Sequence, residues 1–173
     1  MSRVHPCSLP ADALLARYAG AGYVDCYTAE VRRDVSHAEY VEAFYTGSVF
    51  KLERLLLRLF LAKPSTDEEA RQLAAGTLGE FSAWRVEGRA ANQLLMRDIG
   101  GRTRSWFMSA READGAATRL YFGSAVVPVR HPTTGKPNLG VVFNALLGFH
   151  KIYSSVLLGA ARARLARSSA RDA

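Results

Sequence analysis

Hydrophobic and polar residues recur along the chain with two different periods, and the change from one to the other divides it. From residue 22 the segment YVDCYTAEV alternates and is rich in β-formers, which predicts a first strand at about 22–32, preceded by a short amphipathic turn of helix near residues 11–19. Helical spacing follows. Ser36 with Glu39 matches a capping box, and Tyr40, Val41, Phe44 and Tyr45 then recur on one helical face. A second run, SVFKLERLLLRLFLA, starts near Ser48 and stops before Pro64. A third, STDEEARQLAA, opens with another capping-box pair, Ser65 and Glu68, and ends at Gly76. The pattern therefore predicts two or three short helices between the first and second strands.

From residue 80 the period becomes two. FSAWRVEGRA, NQLLMRDI, RTRSWFMSARE and TRLYFGSAVVPV read as four strands joined by GRAA, Gly100-Gly101 and Asp114-Gly115, the last two being dipeptides that two-residue hairpins prefer. An antiparallel meander is the consequence. The loop RHPTTGKPN then leads to a closing helix of roughly 25 residues. This order predicts an α+β fold: a segment with a short helix at 1–21, one domain at 22–161, and a basic C-terminal tail at 162–173.

The two hairpin turns set the faces of the meander. With Gly100 and Gly101 at the centre of one turn, Asp98 lies opposite Thr103, Met96 opposite Ser105 and Leu94 opposite Phe107. Carried across Asp114-Gly115, the same side gains Leu120, Phe122, Ser124 and Val126. That face is apolar with a few hydroxyls, as a ligand pocket or a filled core would be. Ser105 and Ser124 face each other and can hydrogen-bond together. The other face collects Leu95, Arg97, Arg104, Trp106, Met108, Arg119, Tyr121 and Gly123, and its arginines predict that it meets solvent. Trp106 falls opposite Gly123, where its ring can cover bare backbone, with Arg97 or Arg104 stacked on it. A one-residue change in either turn exchanges the faces. On FSAWRVEGRA the turn is weak, so either Arg85 and Glu87 or Trp84 and Val86 point inward.

Composition narrows the class. In 173 residues, 49% hydrophobic and 10% aromatic content supplies a sizeable core and excludes global disorder. The net charge of +7 suggests nucleic acid until it is located. Residues 1–127 hold 16 Lys/Arg against 15 Asp/Glu, whereas 128–173 hold 7 against 1, including Arg162, Arg164, Arg167 and Arg171. A cationic helix end complements its own dipole, and no basic motif alternates with aromatics, so nucleic acid is not expected. Cys7 and Cys26 have no spacing that suggests a clip, and a reduced, cytoplasmic setting fits. Pro6, Pro10, Asp12 and Arg17 interrupt any signal-like apolar run, and Asn144, His150 and Lys151 interrupt the most apolar helix.

Known catalytic motifs are not matched. Four scattered histidines, His5, His37, His131 and His150, make no metal set. Ser48 and Lys51 spell S-x-x-K without its partner motifs, and Arg130 stands where a phosphate loop needs its first glycine. No cofactor or metal is called for.

The order of strand, helices, meander and long C-terminal helix resembles the helix-grip fold of the START and polyketide-cyclase-like superfamily (SRPBCC). The stretches AFYTGSVFKLERLLLRLFLAKPST, FSAWRVEGR, RTRSWFM, LYFGSAVVP and LLGFHKIYS resemble a bacterial domain family of unknown function. The resemblance spans residues 22–161 and carries no catalytic signature; four strands between the helices and the last helix are fewer than members often have. It implies a cavity between a curved sheet and the C-terminal helix, used across that superfamily for lipids, hormones and polyketides, and in some branches for cyclisation or hydrolysis. The residues implied to face a ligand are Arg85, Met96, Asp98, Ser105, Phe107, Leu120, Phe122, Ser124, His150 and Tyr153. His150 and Tyr153 lie one turn apart on one helix face, where the imidazole is either a ligand contact or a satisfied core group. Three classes of function follow. The first is binding of a small apolar molecule, lipid or aromatic. The second is an enzyme using Asp98, His150 and Tyr153 for acid–base work. The third is an interaction module whose basic C-terminal helix meets a membrane surface or an acidic partner.

Overall fold

The computed structural model describes residues 3–51, 65–113, 115–127, 129–130, 137–138 and 141–168; the side chains of 129–151 and 168 lie outside that description. The elements are β1 (His5–Pro6), a 3-10 turn (Leu14–Tyr18), β2 (Tyr23–Val31), α1 (His37–Tyr45), α2 (Asp67–Ala75), β3 (Glu80–Phe81), β4 (Trp84–Ala90), β5 (Gln93–Asp98), β6 (Thr103–Arg111), β7 (Thr118–Val126), β8 (Val129–Arg130), β9 (Pro137–Asn138) and α3 (Val141–Ser168). The protein is α+β. Its main sheet is antiparallel, seven-stranded and open, in the order β1-β2-β7-β6-β5-β4-β3.

The meander forms in the register that the turns dictate. Gly101 takes φ +70 and Gly115 φ +69, the left-handed values that glycine adopts without strain. Leu94 then pairs with Phe107 and Met96 with Ser105 across β5 and β6. Ser105 pairs with Ser124 and Trp106 with Gly123 across β6 and β7. The longest-range pairing brings β2 alongside β7 through nine residue pairs, from Tyr23–Val126 to Val31–Thr118. On β4 a bulge at Glu87, between Val86 and Gly88, settles the open alternative. Trp84 opposes Asp98 and Val86 opposes Met96, so these two share the inner face, whereas Arg85 points away and pairs with Glu80 at 3.0 Å.

Capping fixes both described short helices. Ser36 accepts the Glu39 amide and Glu39 accepts the Ser36 amide, at 3.2 and 2.8 Å. The box on α2 is shifted by one residue from expectation: Thr66 and Glu69 form it, at 3.1 and 2.7 Å. Both pairs have the motif spacing, but Glu68 is drawn to Arg71 on the next turn, at 2.5 Å. Gly76 ends α2 at φ +84, as expected. Residues 48–51 begin a helix whose predicted continuation to Pro64 lies outside the described residues.

Two apolar clusters sandwich the sheet. On the helix side Tyr40, Phe44, Tyr45, Phe50 and Phe81 meet Phe107 and Phe122, with Phe44 and Phe107 edge to face at 4.7 Å. The fully buried Tyr40 places its hydroxyl on the Tyr121 carbonyl at 3.0 Å. The second cluster corrects the expected solvent-facing side: Leu95 and Trp106 are fully buried, Met108 and Arg104 nearly so. Residues 7–18 fold back over this face, with Ala13 and Leu15 packed in the cluster beside Trp106. Gln93 holds the strap down, accepting the Trp106 indole N–H at 2.8 Å and the Leu14 amide at 2.9 Å, and donating to the Asp12 carbonyl at 3.0 Å. The buried Arg104 is paired with Glu87 at 3.1 Å and lies 4.7 Å over the Tyr18 ring, not on Trp106; Tyr18 donates its hydroxyl to the same Glu87. Arg97 and Arg119 do remain exposed.

The C-terminal helix is longer than its predicted domain. Arg162 and Arg164, assigned by sequence to a tail, belong to α3 and donate to the Glu30 and Thr46 carbonyls at 3.0 and 2.8 Å. No described helix is long and apolar enough to cross a membrane.

Gly123 has no room for a side chain, because a Cβ there would meet Leu15 at 2.7 Å, the Asp25 carbonyl at 2.9 Å and Trp106 at 3.0 Å. Gly123→Ala is therefore expected to cost about 1–3 kcal/mol in urea unfolding; an unchanged midpoint would contradict the packing. A second prediction concerns His37, whose ring nitrogens have no hydrogen-bond partner among the described residues. Burial first, then the nearby Arg89 charge, pushes its pKa down from 6.5 to about 4. The unfolded chain thus takes up this proton before the folded one, so the stability due to neutral His37 is complete above pH 6.5 and drains away towards pH 4. Unfolding midpoints of wild type and His37→Phe across that window should diverge, the phenylalanine variant losing less.

Candidate functional site

The inner face of β6 and β7 carries alternating aromatic and hydroxyl side chains because the strand period brings every second residue to the same side. Thr103, Ser105 and Phe107 stand beside Val126, Ser124 and Phe122 in register. Opposite them, α1 contributes Phe44 and Tyr45, the following turn Phe50, β4 Trp84, and α3 Tyr153, Ser154 and Leu157. Small hydroxyl residues at the centre of the sheet leave space that the surrounding rings do not fill. The result is a cavity of about 220 Å³ between sheet and C-terminal helix.

Its walls are apolar, with hydroxyls from serine, threonine and tyrosine at a few points. Ser124 is oriented from outside the cavity: its hydroxyl donates to Asp25 at 2.5 Å, and its amide donates to the same carboxylate oxygen at 3.1 Å. Tyr23 donates to the other oxygen at 2.9 Å. The Asp25 charge is therefore spent on fixing β2 to β7. Burial, followed by the Asp25 charge, pushes the Tyr23 and Tyr27 phenols upward, away from neutral pH. Arg104 is the charged residue among the described lining, and its guanidinium is occupied by Glu87 on the far side of the sheet.

The sequence-derived candidates divide accordingly. Ser105, Phe107, Phe122, Ser124 and Tyr153 come together around the cavity. Met96 and Leu120 share that face but are fully buried in the core and do not line the space. Asp98 is part of the hairpin, accepting the Thr103 amide at 2.8 Å, and Arg85 is exposed on the other side with Glu80. His150 lies within α3 and its side chain is outside the described residues. Reasoning from sequence did not assign Trp84, Tyr45 and Phe50 to the site. Trp84 depends on a bulge with no clear sequence signal; Tyr45 comes from α1 and Phe50 from the helix that begins at residue 48, and the placement of both on the sheet is a tertiary matter. Among the described residues no cluster of His, Cys, Asp and Glu is arranged to hold a metal.

The class defined by these features is an α+β domain with an apolar, hydroxyl-bearing cavity between an open antiparallel sheet and a C-terminal helix. No protein-family model, curated protein or solved structure matches the chain.

The site's rings are structural as well as lining. Phe107 is fully buried and touches Tyr40, Phe44, Tyr45 and Phe122 with ring centroids 4.7–5.9 Å apart. Phe107→Ala should cost about 3–5 kcal/mol in denaturant unfolding, whereas Ser105→Ala, at the partly open neighbouring position, should stay within about 1 kcal/mol.

Proposed function

We propose that this chain is a helix-grip-like binding domain that holds a small, uncharged, largely apolar molecule in the cavity between its sheet and α3. The observation that carries the reading is the cavity itself, walled by Trp84, Phe107, Phe122 and Leu157 and edged by the Ser105 and Ser124 hydroxyls. Its volume of about 220 Å³ bounds the ligand. A dry cavity of about 150 Å³ admits benzene, and pockets for drug-sized molecules begin at about 300 Å³. One substituted ring, or an aliphatic chain of similar bulk, suits this size better than a whole lipid. With no charged group turned into the space among the described residues, a neutral molecule carrying a hydroxyl or carbonyl suits it better than an anion.

The acid–base reading draws no support from Asp98, whose carboxylate is held by the hairpin. Reading the C-terminal arginines as a membrane or acidic-partner surface is weakened likewise, since Arg162 and Arg164 are spent on carbonyls of β2 and the end of α1.

The chain has two tryptophans, of which Trp84 lines the cavity and Trp106 is sealed on the other side of the sheet. In a Trp106→Phe variant, titration with a panel of phenols and short alcohols should therefore change Trp84 emission saturably. Ser105→Leu, which projects a side chain into the space, should abolish the response while the far-ultraviolet circular dichroism stays unchanged. A response that survives Ser105→Leu, or none with any panel compound, contradicts the proposal.

A further inference from the structure

The two cysteines, far apart in the sequence, meet in the fold. β1 runs antiparallel to β2 with His5 opposite Thr28 and Pro6 opposite Tyr27, which sets Cys7 opposite Cys26; the Cys7 amide donates to the Cys26 carbonyl at 3.0 Å. Their sulfurs are 3.2 Å apart. A disulfide bond is about 2.05 Å long, so closure requires a movement of little more than an ångström, within what two χ1 rotations supply.

Position gives this pair a mechanical consequence. Nineteen positions separate the two residues, and the loop between them is the strap that covers the second face of the sheet. Within it lie Ala13 and Leu15, packed beside Trp106, and Asp12 and Leu14, hydrogen-bonded to Gln93. Apart from β1, the strap is held by side-chain packing, by these hydrogen bonds and by Tyr18, which donates to Glu87 beneath the Arg104 guanidinium. Cys26 is buried in the Trp106 cluster, opposite Gly123, whereas Cys7 is partly open.

We propose that Cys7 and Cys26 form an intramolecular disulfide that latches the N-terminal strap over Trp106. The oxidant is a small-molecule disulfide such as oxidised glutathione. The accessible Cys7, as thiolate, attacks one of its sulfurs and expels the other half as a thiolate. Cys26 then loses its proton, attacks the Cys7 sulfur of the mixed disulfide and expels the second half. One disulfide bond is broken and one formed, two protein thiols are oxidised, and the two protons end on the two released thiols. Burial raises both cysteine thiols, with the effect larger at Cys26. The latch therefore closes slowly, gated by the thiolate fraction of Cys7, and serves as a set condition of the fold more than as a rapid sensor.

The test uses the full chain, reduced and then equilibrated with oxidised glutathione, alkylated and mapped by mass spectrometry. The expected product is a monomer that has lost two hydrogens, with the Cys7 and Cys26 peptides joined and neither thiol alkylated. Its Tm should exceed that of the reduced form by on the order of 5–10 °C, and Cys7→Ser should show no such rise under the same treatment. Both thiols alkylated after oxidation, glutathione retained on Cys7 with Cys26 free, or a Cys7-linked dimer would each overturn the latch. So would an equal rise in Tm of the Cys7→Ser protein.

Discussion

The contact of Trp106 with Gly123 governs the two sides of the sheet together. A strand's side chains alternate, so whatever fixes the register of β6 against β7 also decides which residues face the helices. The indole lies against a position where a Cβ would collide with it at 3.0 Å and with Leu15 and the Asp25 carbonyl more closely. Sliding the strands by one residue would bring Phe122 or Ser124 under the tryptophan. It would also carry either Ser105 and Phe107 or Phe122 and Ser124, whichever strand slipped, out of the space below α1 and α3. The cavity on one face thus depends on a close fit on the other.

That fit is completed by the strap formed by residues 7–18. Without it, the indole and the paired Arg104 and Glu87 would stand in water; with it, they are enclosed and each polar group has a named partner. Gln93 provides the clearest case, since one side-chain amide satisfies the indole N–H, a backbone N–H and a backbone carbonyl at a buried position. An ion pair at this depth offers little net stability, but leaving either partner alone would cost several kcal/mol. Such arrangements select one conformation of the strap over looser ones, which is also what brings Cys7 to Cys26.

Much of the sheet was legible because local chemistry determines it. Gly101 and Gly115 at positive φ set the two hairpins, and from them the pairing of Ser105 with Ser124 and Trp106 with Gly123 follows by counting. The capping box at Ser36 was equally local, and the one at Thr66 was missed by one residue because Ser65–Glu68 and Thr66–Glu69 satisfy the same spacing. What could not be counted was tertiary. Three arginines on one face of the sheet read as solvent exposure, since nothing local shows that Glu87 would reach Arg104 through a bulge or that an N-terminal strap would cover Trp106. The bulge decides between the two faces of β4 that the sequence left open, turning Trp84 inward and Arg85, one of the inward candidates, out to Glu80. Asp98 had the right face but was needed by its own hairpin.

What remains at the centre is a space bounded by Phe107, Phe122, Trp84 and Leu157, large enough for one ring and lined for a neutral guest. Xenon occupies dry apolar cavities without needing a specific hydrogen bond, so it reports the space independently of ligand identity. The most direct measurement is therefore diffraction from a crystal of the purified protein pressurised with xenon. An ordered xenon between the Phe107–Phe122 pair and Leu157, with Trp106 sealed on the opposite face, is the result predicted. Side chains filling that volume with no xenon, or Ser105 and Phe107 on the Trp106 side of the sheet, would contradict the account at its base.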